Sequence, residues 1–145
     1  MSVEKVARDF VSHMNDTERM KSMVTADAMA SGGILPQPIP VMEAMKVMAG
    51  LTTAFPDLKF EVQKVKVNGN RATVHAQWTG RNTGQLNIPV PGMPVIPVTG
   101  KEVSVRDTYI ITVDGDRVSH LQVDSPPDGG LPAALAQLGV KMPDR

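Results

Sequence analysis

Three residues in the second half of the sequence have the chemistry to move protons: Asp107, His120 and Asp124. A carboxyl group held in an apolar cavity has a raised pKa and can serve as acid and base near neutral pH. Histidine titrates near neutrality unaided. The spacing allows the three to meet. Val103, Val105, Asp107, Tyr109, Ile111 and Val113 alternate as one strand face, Asp114-Gly115 reads as a hairpin turn, and a last strand runs from about Val118 to Asp124. A two-residue turn at Asp114-Gly115 pairs Tyr109 with His120 and Asp107 with Gln122, and brings Val105 near Asp124. His120, Gln122 and Asp124 then join Asp107 and Tyr109 in a polar cluster at the floor of an apolar hollow. A three-residue turn instead puts Leu121 and Val123 on the apolar face and turns His120 and Asp124 towards solvent or a dimer partner. A one-residue slip flips every side chain, so both registers stand.

The elements that must position these residues are helices first and strands second. Val3, Val6, Ala7, Phe10, Val11 and Met14 form one helical stripe, Asp16 can cap a short second helix continuing through Met20, Met23 and Val24, and residues 30–38 read as a loop. Pro40 suits the start of a third helix, with Val41, Met45, Met48 and Thr52 on one face and an end before Pro56. Leu58 to Val67 alternate as a strand whose parity switches between Val62 and Val65, which predicts a β-bulge. Asn68-Gly69 is a hairpin signal, and Val74, Ala76 and Trp78 share a face of the next strand. The Pro-rich, apolar stretch from Asn82 to Gly100, with Ile88, Val90, Met93, Val95 and Ile96, reads as a flap packed over something. Residues 131–138 form a short helical piece. This order means α+β: a cone-shaped, curved antiparallel sheet with the N-terminal helices on its concave face. The open end of such a cone is a place for a small-molecule pocket.

Composition removes other chemistries. The 145 residues suit one domain, 1–145, and carry 15 Lys+Arg against 15 Asp+Glu. Zero net charge argues against nucleic-acid and anionic-membrane partners. No cysteine means no disulfide, thiolate nucleophile or Cys-zinc site. The three His show no helical i, i+4 pair, so no metal site is expected. Gly32-Gly33 and Gly129-Gly130 do not lead strands into phosphate-binding helices. Met1-Ser2-Val3-Glu4-Lys5 has no basic segment followed by an apolar run, and no stretch approaches membrane-spanning length, so a cytoplasmic protein is expected.

Five segments carry a family likeness. They are Phe55-Pro56-Asp57-Leu58, Trp78-Thr79-Gly80-Arg81-Asn82-Thr83-Gly84, Thr99-Gly100-Lys101, Asp114-Gly115 and Gln137-Leu138-Gly139. In that order, over nearly the whole chain, the sequence resembles the SnoaL-like polyketide cyclase family. The resemblance implies the cystatin-like cone shared with nuclear transport factor 2, ketosteroid isomerase and scytalone dehydratase, and homodimers formed through the outer face of the sheet. It implies ring closure by an intramolecular aldol step, with a carboxylate on the last strand and without metal or cofactor. Counted from Val118, the family's catalytic aspartate position falls at Val123, with Asp124 beside it. The family's histidine falls near Asp107 or Thr108, and its asparagine near Ala30.

The reading that follows is a cofactor-free enzyme, a lyase or isomerase, performing aldol cyclisation, isomerisation or hydration on an apolar carbonyl compound. Asp124 is the expected general acid/base, with His120 and Asp107 orienting it or sharing its proton. Trp78, Tyr109, Gln122, Met29, Met45 and Met48 are the expected substrate contacts. Plainer roles stand beside these: a hydrogen-bonded structural histidine for His120, a strand-end cap for Asp124, core packing for Trp78. Two rival functions are a non-catalytic protein holding a lipophilic molecule and a dimerisation module.

Overall fold

Helix α1 (Val3–Ser12) begins where the Ser2 hydroxyl accepts the Lys5 N–H, and its Val6, Ala7, Phe10 and Val11 are buried as one stripe. Burying Phe10 alone contributes roughly 1.5–3 kcal/mol. The structure, a computed structural model, describes residues 2–32, 37–87, 95–126 and 129–139, the side chains of residues 131 and 132 excepted. Asp16 caps α2 (Thr17–Met23) through its Oδ1, which accepts the Arg19 N–H at 3.2 Å. Among the described residues no helix is long and apolar enough to cross a membrane.

The second helix does not continue through Val24. The chain becomes β1 (Val24–Gly32), with Ala28 and Ala30 buried. Its alanines and Asp27 have little strand preference, so pairing with the rest of the sheet decides its conformation. A short β2 (Ile39–Pro40) leads into α3 (Val41–Ala54), which starts after Pro40 and ends before Pro56 as expected. Then come β3 (Lys59–Asn68), β4 (Arg71–Arg81), β5 (Glu102–Asp114), β6 (Arg117–Val123) and α4 (Gly130–Gln137). The six strands lie in the order β2-β1-β6-β5-β4-β3. All neighbours are antiparallel except β1 and β6, which run parallel, so the sheet is mixed rather than wholly antiparallel.

The expected bulge sits in β3, where the register against β4 shifts between Val62 and Lys64. Both hairpin turns lie one residue later than the Asn-Gly and Asp-Gly pairs suggest. Asn68 pairs with Arg71 and Asp114 with Arg117, so Gly69-Asn70 and Gly115-Asp116 are the turn residues. Gly69 and Gly115 have φ of 64° and 67°, and among the described residues no non-glycine residue has positive φ, a glycine-first pattern like that of type II′ turns. The next departure is a bulge in β6. Val113 pairs with Val118, but Thr112 pairs with His120, leaving Ser119 as the extra residue.

The segment after β4 is fastened at its base by Asn82. Its buried side chain accepts from the Thr99 N–H and hydroxyl at 2.8 and 2.7 Å and donates to the Gly84 carbonyl at 2.8 Å. Thr83 and Gly84 N–H groups donate to the Ala54 carbonyl, seating this base against the end of α3. Leu86 and Ile96 pair across the segment, both fully buried. Ile88, Val90 and Met93 of the expected flap lie outside the described residues.

Candidate functional site

The inner face of the sheet and α3 enclose a cavity of about 120 Å³. This is room for an organic group rather than a single water. Val41, Ala44, Val47, Met48 and Leu51 of α3 form one wall, and Met14 and Met20 close an end. The sheet contributes Phe60, Trp78, Tyr109, Leu121 and Val123. Phe60 contacts both Trp78 and Tyr109, with ring centroids 6.4 Å apart in each case, and Phe55 meets Trp78 edge-on.

Into this apolar lining β5 projects the carboxyl group of Asp107, which is 6% exposed. Its oxygens are held from several sides. The Ser125 hydroxyl donates to Oδ1 at 2.8 Å, the Thr108 N–H donates to Oδ1 at 3.0 Å, and the Tyr109 hydroxyl donates to Oδ2 at 3.4 Å. The Trp78 side chain also hydrogen-bonds the carboxyl group. Burial pushes the Asp107 pKa above the ordinary carboxylate value; the bonds from Ser125, Thr108, Tyr109 and Trp78 pull the other way and do not cancel it. Tyr109 is pushed well above the usual phenol value by burial first and by the neighbouring Asp107 charge second. It therefore stays a neutral hydrogen-bond donor across the physiological range. The pair amounts to one titratable carboxyl beside one fixed phenol O–H.

Of the residues the sequence pointed to, Asp107, Trp78, Tyr109 and Met48 line the cavity together. The others do not. The turn position and the Ser119 bulge bring Leu121 opposite Ile111 and Val123 opposite Tyr109, so these two apolar residues face inward. His120, Gln122 and Asp124 take the alternate positions and face away. The facing is that of the second alternative, but it arises from a two-residue turn and a bulge rather than from a three-residue turn. His120 is half-buried, with Nε2 2.8 Å from the Ser31 hydroxyl, while Gln122 and Asp124 are exposed. The Asp124 backbone N–H donates to the Thr108 carbonyl at 2.8 Å. Met29 lies on β1, beside His120 in register and outside the lining. Met45 is buried in the core but is likewise not part of the cavity wall.

Ser125 is the site residue that sequence reasoning missed. It sits in the Ser-Pro-Pro-Asp-Gly-Gly break, which reads as a plain chain reversal, and no local pattern links it to Asp107. Among the described residues no three of His, Asp and Glu converge as a metal-binding set.

Comparison with known proteins places this geometry in context. The family model described as SnoaL-like polyketide cyclase matches residues 3–122. Among solved structures, AclR of Streptomyces galilaeus, a candidate hydroxylase, superposes with a TM-score of 0.75 at 20% identity, covering 99% of this chain and 83% of that one. IdmH of Streptomyces antibioticus, a candidate polyketide cyclase, gives 0.73 at 18% identity, with 97% and 100% covered. A protein of ketosteroid isomerase-like fold from Catenulispora acidiphila gives 0.68 at 14% identity, with 94% of each chain covered. These likenesses bear on the fold. No curated protein matches the chain.

Proposed function

Since the chain belongs to the SnoaL-like polyketide cyclase family, we propose that it carries out proton-transfer chemistry on an apolar carbonyl compound, with Asp107 as the group that takes and returns the proton. The observation that carries this reading is the buried Asp107 carboxyl on an otherwise apolar wall, its pKa raised by that burial. A carboxylate in this setting is a stronger base than one in water.

In an aldol closure, the Asp107 carboxylate takes the proton from the carbon next to a carbonyl. The C–H bond breaks, an O–H bond forms on Asp107, and the electron pair moves into the enolate. The Tyr109 hydroxyl, whose bond to Asp107 is long at 3.4 Å, can turn to the enolate oxygen. The enolate carbon then attacks the second carbonyl, and the resulting alkoxide takes the proton back from Asp107. In an isomerisation the same carboxyl returns the proton to a different carbon. Leu121, Val123, Phe60 and the α3 side chains would fold the substrate and exclude water, which strengthens the electrostatics around the carboxyl.

The test is hydrogen exchange in D2O. Apolar ketones and β-diketones are incubated with the protein, and loss of the signal from the hydrogens next to the carbonyl is followed by NMR. Exchange above the buffer rate that disappears in Asp107→Asn supports the reading. Exchange equal in the two proteins, or absent throughout the panel, defeats it.

One observation favours a second reading. The residue at the family's catalytic aspartate position, Val123, faces the cavity as a plain hydrocarbon. A protein that holds a lipophilic molecule without converting it fits that substitution, and it would bind ketones without exchanging their hydrogens.

A further inference from the structure

Asp107 lies on a stretch of β5 that no neighbouring strand covers on one side, because β6 ends at Val123, opposite Tyr109. The chain beyond β6 takes over that edge. Asp124 N–H bonds to the Thr108 carbonyl, Ser125 reaches the Asp107 carboxyl, and Gly129 passes where an added Cβ would overlap the Arg106 carbonyl. At the far end the Gln137 side chain holds both backbone groups of Ser104, accepting from its N–H at 2.9 Å and donating to its carbonyl at 2.9 Å. Gln137 thus copies the pairing that a strand would make, and α4 is fixed along the edge by its last residue.

From this arrangement we infer that residues 124–126 and 129–137 form a brace that completes the site, with Ser125 as the positioning residue that orients Asp107 and sets its proton affinity. The inference rests on the reading of Asp107 as the proton-transfer group. Two independent features carry it. The first is the 2.8 Å bond from the Ser125 hydroxyl to Oδ1, shorter than the bonds from the Thr108 N–H and the Tyr109 hydroxyl. The second is Gly130, whose φ of 70° suits glycine and where an added Cβ would run into the Ser125 side chain and would itself lie 3.6 Å from Asp107 Oδ2. Backbone conformation and space both require glycine there, so the brace is shaped to close over this serine and carboxyl. The family match ends at residue 122, so the brace lies beyond the matched region.

The groups facing Asp107 are the Ser125 hydroxyl from the brace, the Thr108 N–H and Tyr109 hydroxyl from β5, and the Trp78 side chain from β4; Tyr109 is the titratable one among them. A hydroxyl donating to a carboxylate favours the charged form. Removing it must raise the midpoint.

The experiment is a carbon-13 NMR titration of the Asp107 carboxyl, assigned by its loss in Asp107→Asn. The expected results are an upward shift of the midpoint in Ser125→Ala and a return towards the starting value in Ser125→Thr, which keeps the hydroxyl. Gln137→Ala, which loosens the brace without touching Asp107, should shift the midpoint in the same direction, and it serves alone if Ser125→Ala fails to fold. A loss of thermal stability with an unmoved midpoint would make Ser125 merely structural and overturn the inference. An ordinary midpoint in the unaltered protein would instead defeat the acid/base reading itself, so the two failures are distinct.

Discussion

Val123 stands directly across from Tyr109 on the adjoining strand, and both side chains face the cavity. This pairing decides the identity of the site. It puts hydrocarbon on the cavity wall, turns Asp124 outward, and leaves Asp107 on β5 as the carboxyl that lines the cavity among the described residues. In this account the proton-transfer group has moved from the last strand to the one before it.

Asp107→Asn should abolish proton transfer while the fold persists. General acid–base groups typically contribute about 10²–10⁴-fold, so exchange of ketone hydrogens should fall by at least about 100-fold. Ligand binding, followed by quenching of the Trp78 fluorescence, should survive.

The same substitution should change how stability depends on pH. The folded-state pKa of Asp107 is raised above its unfolded value, so its neutral form favours folding. That contribution is fully present below the unfolded carboxylate pKa and is lost as pH rises through the folded one. Thermal melts should show Asp107→Asn gaining on the unaltered protein as pH climbs from the ordinary carboxylate range to neutrality. A difference in melting temperature that is constant with pH would contradict the burial argument.

His120→Ala and Asp124→Asn should leave exchange within about twofold, because neither side chain reaches the cavity. His120→Ala removes the bond to Ser31 that ties β6 to β1 on the outer face, and should cost about 1 kcal/mol in a denaturant melt. A large loss of exchange in either variant would restore the last strand as the source of the proton.

Val123→Asp should introduce a second carboxyl on the cavity wall across from Tyr109. Two carboxylates sharing one apolar site cannot both ionise easily, so a second elevated midpoint should appear in the titration and the fold should weaken at neutral pH.

Most of the architecture was legible because it is written in periodicity. The alternations of β3, β4 and β5 and the parity switch at the β3 bulge follow from side-chain spacing alone. The stripe of α1 does too, and so does the start of α3 after Pro40. What escaped was decided by tertiary contact. β1 is built of small and polar residues that become a strand by pairing with β6. The facing of His120 and Asp124 depends on one extra residue at Ser119: moving the two-residue turn to Gly115-Asp116 shifts partners by two and keeps the faces, whereas the bulge flips them. An alternating pattern cannot see that extra residue. Ser125 is recruited from a chain break to a carboxyl 18 residues earlier. Only folding brings the two together.

The most direct measurement is the carbon-13 titration of the aspartate side chains in the unaltered protein and in Asp107→Asn. One carboxyl should titrate above all the others, and its resonance should be missing from the variant. If every aspartate titrates in the range of a solvent-exposed carboxylate, Asp107 is not the buried proton carrier described here.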